Sequence, residues 1–240
     1  MYKRKRDLLF LGFLVLIFFA LNYNFLDSSF EKFLLGENYR EVFIERVIDG
    51  DTIVTSEGEH VRLLGINTPE RGEVFYEESK KFLENSVLNQ TVTLEFTRER
   101  TDKYGRTLAY IFLRNENINI KTVEKGFANY YFYSGRDKYS EVLENAWMTC
   151  LDNKVNLCRQ SNEPCSSCLI LGENYVANNC NLICEVQDWT IKGEGRDKVL
   201  LNRTLAAGQS QSFELDLSNS GESLFLRDDV GGLVVYSAGE

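Results

Sequence analysis

The sequence predicts an α+β chain: a five-stranded β-barrel of the OB type carrying three helices, a small all-β sandwich after it, and one hydrophobic helix before it. Three observations predict this. Apolar alternation over 42–47, 52–55, 60–64, 91–98 and 108–112 supplies five short strands, with a helical spacing inserted after the third. From Gly172 onward the composition shifts to short apolar runs separated by turn residues. At the start, a basic flank precedes a nearly unbroken apolar run.

In chain order, residues 1–26 read as a signal-anchor. Lys3–Arg6 are basic, Leu8–Leu21 are almost wholly apolar, and Asn22, Tyr23 and Asn24 follow where a cleavage site would need small residues. The expectation is a single-pass membrane helix with Lys3–Arg6 on the cytoplasmic side and the rest extracellular; the alternative is a secreted protein. Residues 27–39 are a spacer. The first domain, 40–158, contains the five strands, a helix over Glu73–Leu88 with Phe75, Phe82, Leu83 and Val87 at helical spacings, a helix near Asn119–Lys125, and a last helix over Asp137–Leu151. Residues 159–171 form a cysteine-rich linker, and 172–240 form the sandwich. Its expected strands include Ile183–Ile191, Lys198–Leu201, Ser212–Leu217, Ser223–Leu226 and Leu233–Tyr236, with Trp189 as a core residue. A length of 240 residues allows two modest domains, and 43% apolar residues suffice for two cores.

All six cysteines lie between Cys150 and Cys184. An even number in an exported segment predicts disulfides, whose pairing the spacing leaves open. A zinc tetrathiolate from Cys165-x-x-Cys168 and Cys180-x-x-x-Cys184 is the rival.

The chemistry concentrates in two stretches. Ile48-Asp49-Gly50-Asp51-Thr52 reads as a tight hairpin turn, and the strand His60–Leu64 runs into a loop bearing Asn67, Thr68, Pro69 and Glu70. Thr101-Asp102-Lys103-Tyr104-Gly105-Arg106 is a second turn, leading into the strand Leu108–Phe112. Oxygen ligands or bases (Asp51, Asn67, Glu70) thus stand near two anion-binding arginines, Arg62 and Arg106. Phosphodiester hydrolysis needs fixed positive charge against the phosphorus-bound oxygens and a base for the attacking water. Arginine supplies the first through its two-pronged donor geometry, and Glu70 supplies the second. His60 is the only histidine, so histidine-pair and Ser–His–Asp mechanisms are excluded.

These segments resemble the staphylococcal nuclease (thermonuclease) domain, in its IDGDT turn, its RLLG-I-[DN]-TPE strand and loop, and its TDKYGR-x-LAY segment. The resemblance covers roughly Arg40–Cys158. It implies a calcium-dependent nuclease with metal ligands at Asp51, Asn67 and the Thr68 carbonyl, catalytic residues Arg62, Glu70 and Arg106, and substrate contacts from Lys103, Tyr104, Tyr131 and Tyr133. Asn67 departs from the pattern, which has aspartate there; restoring the carboxylate is expected to tighten calcium binding. The Tyr130–Tyr133 run is either a base-stacking platform or core with hydroxyl anchors. The last segment resembles a lamin-tail-type immunoglobulin-like domain, in Asp188-Trp189-Thr190-Ile191, Leu205-Ala206-Ala207-Gly208-Gln209 and Leu224-Phe225-Leu226-Arg227-Asp228.

The net charge is −9. A nucleic-acid partner must therefore meet a local basic groove, which suits an enzyme that releases its product. The expected activity is low-specificity cleavage of DNA or RNA, preferably single-stranded, with the membrane reached through the N-terminal helix and no obligate protein partner evident. The alternative is a non-catalytic surface protein that binds nucleic acid or serves envelope attachment.

Overall fold

Strand β1 (Tyr39–Asp49) turns at Gly50 into β2 (Thr52–Thr55), which pairs antiparallel with β3 (His60–Leu63). The structure is a computed structural model and describes residues 38–133, 135–216 and 222–239. The expected N-terminal membrane helix lies outside those residues. After β4 (Ile66–Asn67) come helix α1 (Tyr76–Val87) and strands β5 (Thr91–Glu95), β6 (Thr107–Leu113) and β7 (Glu116–Asn117). The sheet order β3-β2-β1-β5-β6 is closed by a parallel β3–β6 pairing that sets Arg62 opposite Leu108. That closure makes the five-stranded barrel. Closing a sheet removes its edges and buries a single continuous interior; Ile44, Ile53, Val61, Leu63, Leu94, Ala109 and Ile111 fill it.

Helices α2 (Ile118–Glu124) and α3 (Ser140–Asn153) complete the three, with β8 (Asn129–Tyr130) between them. Asn117 caps α2, its side-chain oxygen accepting from the Ile120 N–H at 3.1 Å. The helix over 73–88 begins three residues later than the sequence suggests. Glu73 is spent on other contacts, and Phe75 sits in the left-handed region (φ 69°), so the first helical turn starts at Tyr76.

The remainder is all-β. Strands β9 (Leu169–Leu171), β10 (Tyr175–Asn178), β11 (Cys184–Glu185), β12 (Trp189–Lys192), β13 (Lys198–Leu201), β14 (Thr204–Leu205), β15 (Ser210–Ser212), β16 (Leu224–Arg227) and β17 (Leu233–Ser237) follow in order. They form a four-stranded sheet β13-β12-β16-β17, a three-stranded sheet β15-β10-β9 and a β11–β14 pair. Leu169, Leu171 and Val176 share a core with Trp189, Ile191, Leu201, Leu226 and Val234. The run Ile183–Ile191 is not one strand: Asp188 takes a positive φ of 62° and breaks it into β11 and β12. The strand expected at Ser212–Leu217 is seen as Ser210–Ser212; residues 217–221 lie outside those described. The cysteines pair as Cys150–Cys158, Cys165–Cys184 and Cys168–Cys180, leaving none free, so disulfides replace the zinc alternative.

Glu41–Glu240 clusters as one compact unit. Trp147 of α3 is fully buried, its ring 5.3 Å from that of Phe225 and 6.0 Å from that of Tyr236, both edge-on. Tyr130 donates or accepts through its hydroxyl at both Ser223 and Tyr236. Phe225 and Leu233 therefore belong to the barrel's own hydrophobic cluster. Removing a buried phenyl leaves a cavity and costs about 3–5 kcal/mol. Phe225→Ala is accordingly expected to lower stability by about that amount, read by calorimetry as a lower Tm.

Candidate active site

The β1–β2 turn is built for close approach. A Cβ on Gly50 would lie 2.0 Å from Ser79 Oγ on α1 and 3.0 Å from Thr68 Cβ, so only glycine fits. The turn carries Asp51 into the barrel mouth, where it is buried. Arg62, on β3 and 7% exposed, places Nε 3.1 Å from Asp51 Oδ1. Its two terminal nitrogens donate to the carbonyls of Leu63 (2.6 Å) and Ile66 (2.8 Å). Asp51 Oδ2 accepts from the Thr68 hydroxyl (2.8 Å) and backbone N–H (3.2 Å), and Oδ1 accepts from the Thr52 hydroxyl (3.0 Å). Burial works against the Asp51 carboxylate, but Arg62 and these donors hold it below its usual range. Asp49 goes the other way: burial and then repulsion from Asp51 raise it to about 6.

Next to this hub lies a cleft of about 760 Å³. Arg62, Asn67, Lys103, Tyr104, Arg106, Tyr131 and Tyr133 all line it. The Asp102 carboxylate organises the second turn, accepting from the N–H groups of Tyr104 (2.8 Å) and Arg106 (3.0 Å) and from Arg106 Nε (2.7 Å). Tyr104 is 67% exposed, with Lys103 Nζ 5.3 Å and the Arg106 guanidinium 5.6 Å from its ring centre. The tyrosine run divides at alternate positions between core and surface. Tyr130 and Phe132 are buried in the core, whereas Tyr133 is exposed and its ring lies 6.0 Å from that of Tyr131. Alternation in an extended segment produces that split.

Asn67 and Glu70 also meet a segment that sequence reasoning did not assign to the site. The β12–β13 connection, Gly193–Asp197, lies against them. Asn67, buried, donates its amide N–H bonds to the carbonyls of Glu194 (3.1 Å) and Gly195 (2.9 Å). Two carbonyl acceptors on one end of the side chain fix which end is nitrogen. Asn129 donates to the Glu194 carbonyl as well, at 3.0 Å. Glu70 Oε1 is 2.7 Å from Arg196 Nε. The Glu70 backbone N–H donates to Glu73 Oε2 at 2.8 Å, and Glu73 is held by Lys192 (3.0 Å) and Lys198 (2.8 Å), which flank the same turn. Burial alone would raise Glu73, yet Lys192 and Lys198 bring it down to about 2. Glu194 is itself raised to about 7, by burial and by the nearby Glu222. Lys192-Gly193-Glu194-Gly195-Arg196-Asp197-Lys198 is legible as a hairpin turn; nothing local in it says where it docks.

A family model described as staphylococcal nuclease homologue matches residues 60–160. The thermonuclease of Staphylococcus intermedius is 36% identical over 162 residues, which is 62% of this chain and 93% of that protein. The chain belongs to the staphylococcal nuclease family. The thermonuclease of Staphylococcus hyicus is 34% identical over 133 residues, 52% of this chain and 79% of that protein. An uncharacterized endonuclease of Haemophilus influenzae is 35% identical over 108 residues, 43% and 60% respectively. As a member of this family the protein is a phosphodiester-hydrolysing nuclease, and the five-stranded barrel with three helices is the family's fold.

Two outcomes follow from the site. Asn67→Asp, which sequence alone favours for calcium binding, would set a carboxylate against two carbonyl oxygens and remove two buried donors. It is expected to destabilise the fold by about 2–4 kcal/mol, measured by denaturant unfolding. Glu73 has a folded-state pKa below its unfolded value, so its stabilisation is present above about pH 4.5 and is lost as pH falls towards about 2. Glu73→Gln should cost on the order of 2 kcal/mol at neutral pH, and the wild type and variant should converge in stability between those two values.

Proposed function

We propose that this protein is an extracellular, membrane-anchored, calcium-dependent endonuclease that cleaves DNA or RNA, preferably single-stranded, with little sequence specificity. The observation that carries the reading is the cleft itself: Arg62, Arg106 and Lys103 line one cavity together with Tyr104, Tyr131 and Tyr133, with Glu70 on the loop after β4. Aromatic faces accept any base, and cations meet the backbone without reading sequence.

The donor chemistry suits a hard divalent cation. Asp51 offers a carboxylate held ionised, the Thr68 carbonyl and the Asn67 side-chain oxygen are neutral oxygens, and the crowding of Asp49 against Asp51 is relieved by positive charge. Asp51, Asn67 and Thr68 would hold calcium, and the bound ion would supply further positive charge beside the phosphate. The chain's own residues do the rest. Arg62 and Arg106 bind the phosphodiester oxygens and oppose the charge that grows on them during attack. Glu70 accepts the proton of the attacking water. The three disulfides and the apolar run at Leu8–Leu21 support an exported, anchored protein. The C-terminal strands support a lamin-tail-type immunoglobulin-like module.

Glu70→Gln in the full-length chain tests the reading. It is expected to lower cleavage of a labelled single strand by at least about a hundredfold while leaving its affinity within severalfold of wild type. EDTA should abolish wild-type cleavage and added calcium restore it. Full cleavage in EDTA would remove the metal from the reading, and undiminished cleavage by Glu70→Gln would remove Glu70 as the base.

A further inference from the structure

The expected arginines of the site are heavily engaged. Arg62 is buried, with all three nitrogens donating to Asp51, Leu63 and Ile66. Arg106 is tied to Asp102 through Nε. Arg196, which comes from the other domain, differs from both. Its side chain is 54% exposed and lines the same cleft, and among the described residues only its Nε is engaged, by Glu70.

We propose that Arg196 is a third substrate-binding residue of the nuclease site, a guanidinium delivered by the C-terminal domain that takes the phosphodiester of the bound strand. Three features carry this. The backbone on which Arg196 stands is pinned, because the buried amides of Asn67 and Asn129 make three N–H bonds to the carbonyls of Glu194 and Gly195 immediately before it. Lys192 and Lys198 lock both feet of the hairpin on Glu73. The turn is thus a fixed wall and not a removable plug, and the cleft beside it stays open at about 760 Å³. Finally, the Arg196–Glu70 pair is half in solvent, with side-chain exposures of 54% and 44%, and a pair of that kind holds weakly. A phosphate offers Arg196 two oxygens to its parallel donors and outcompetes a single carboxylate oxygen. The exchange has a second effect: it releases the Glu70 carboxylate to receive the proton of water at the moment substrate is bound. In this reading Asn67 serves two ends of one amide, nitrogen to the turn and oxygen to the metal side. An aspartate lacks the donor that seats the turn.

The inference rests on the nuclease reading of the cleft, and one set of measurements separates the two. Arg196→Ala and Arg196→Lys are made in the full-length chain. A fluorescent single-stranded oligothymidylate is titrated in EDTA at several salt concentrations, and cleavage of the same strand is followed with calcium. Arg196→Ala is expected to weaken binding about tenfold. It should also reduce the slope of log affinity against log salt by about 0.7, the loss of one phosphate contact on a single strand. kcat/KM should fall at least as far. Arg196→Lys should recover the slope but only part of the affinity, since an ammonium is a point charge. A purely structural role would not move the salt slope. Unchanged binding and slope in Arg196→Ala, with wild type active, overturns this inference and spares the nuclease reading. Faster cleavage by Arg196→Ala overturns it in favour of an inhibitory latch. A wild type that neither binds nor cleaves the strand overturns both.

Discussion

The site depends on one buried ion pair. Arg62 and Asp51 meet at the mouth of the barrel, and between them they engage the β1–β2 turn, the end of β3, β4 and the loop at Thr68. Removing either partner from such a pair leaves an uncompensated buried charge, at a cost of about 3–5 kcal/mol. Its two residues also carry the expected chemistry, one for the phosphate and one for the cation. In the proposed function, stability and chemistry draw on the same atoms. The oxygen crowding at Asp49 and Asp51 persists because this pair holds the second carboxylate ionised.

Around that hub, the C-terminal strands pack into the same compact unit as the barrel. They reach the loop after β4 at three levels: carbonyls to Asn67, a guanidinium to Glu70, and two ammonium groups to Glu73, which in turn holds the Glu70 backbone. Behind the site, Phe225 and Tyr236 pack on Trp147. Arg227, half-buried and lowered to about 10 by desolvation, donates to the carbonyls of Leu157 and Gly231 and ties the end of the barrel domain to the same sheet. Polar contacts fix register here, and aromatic burial adds apolar adhesion.

Much of this was legible in the chain. The barrel strands follow from alternation, because one face of each strand is buried, and the motif residues Arg62, Asn67, Lys103, Tyr104, Arg106, Tyr131 and Tyr133 do converge on one cleft. What the chain hid was long-range. Arg196 lies 126 positions from Glu70 in sequence (196 − 70), and a glycine-rich basic turn is ordinarily just a solvated loop. The break at Asp188 was hidden for a local reason, since aspartate tolerates a left-handed backbone without advertising it as glycine would. Asn67 was legible as a departure from the family pattern, but its cause was not, because the two carbonyls it satisfies belong to residues 194 and 195.

The Asn67 contact also bears on how the barrel and the C-terminal strands depend on one another. A barrel without the C-terminal strands would turn the Asn67 and Asn129 amides to water, which satisfies them at little cost, but it would also uncover Trp147 and lose Phe225 and Leu233 from its core. A barrel with aspartate at this position would accept the turn only at a cost in stability, because two carbonyl oxygens would face a carboxylate. The asparagine is therefore the residue that lets the barrel and the turn share one buried polar contact.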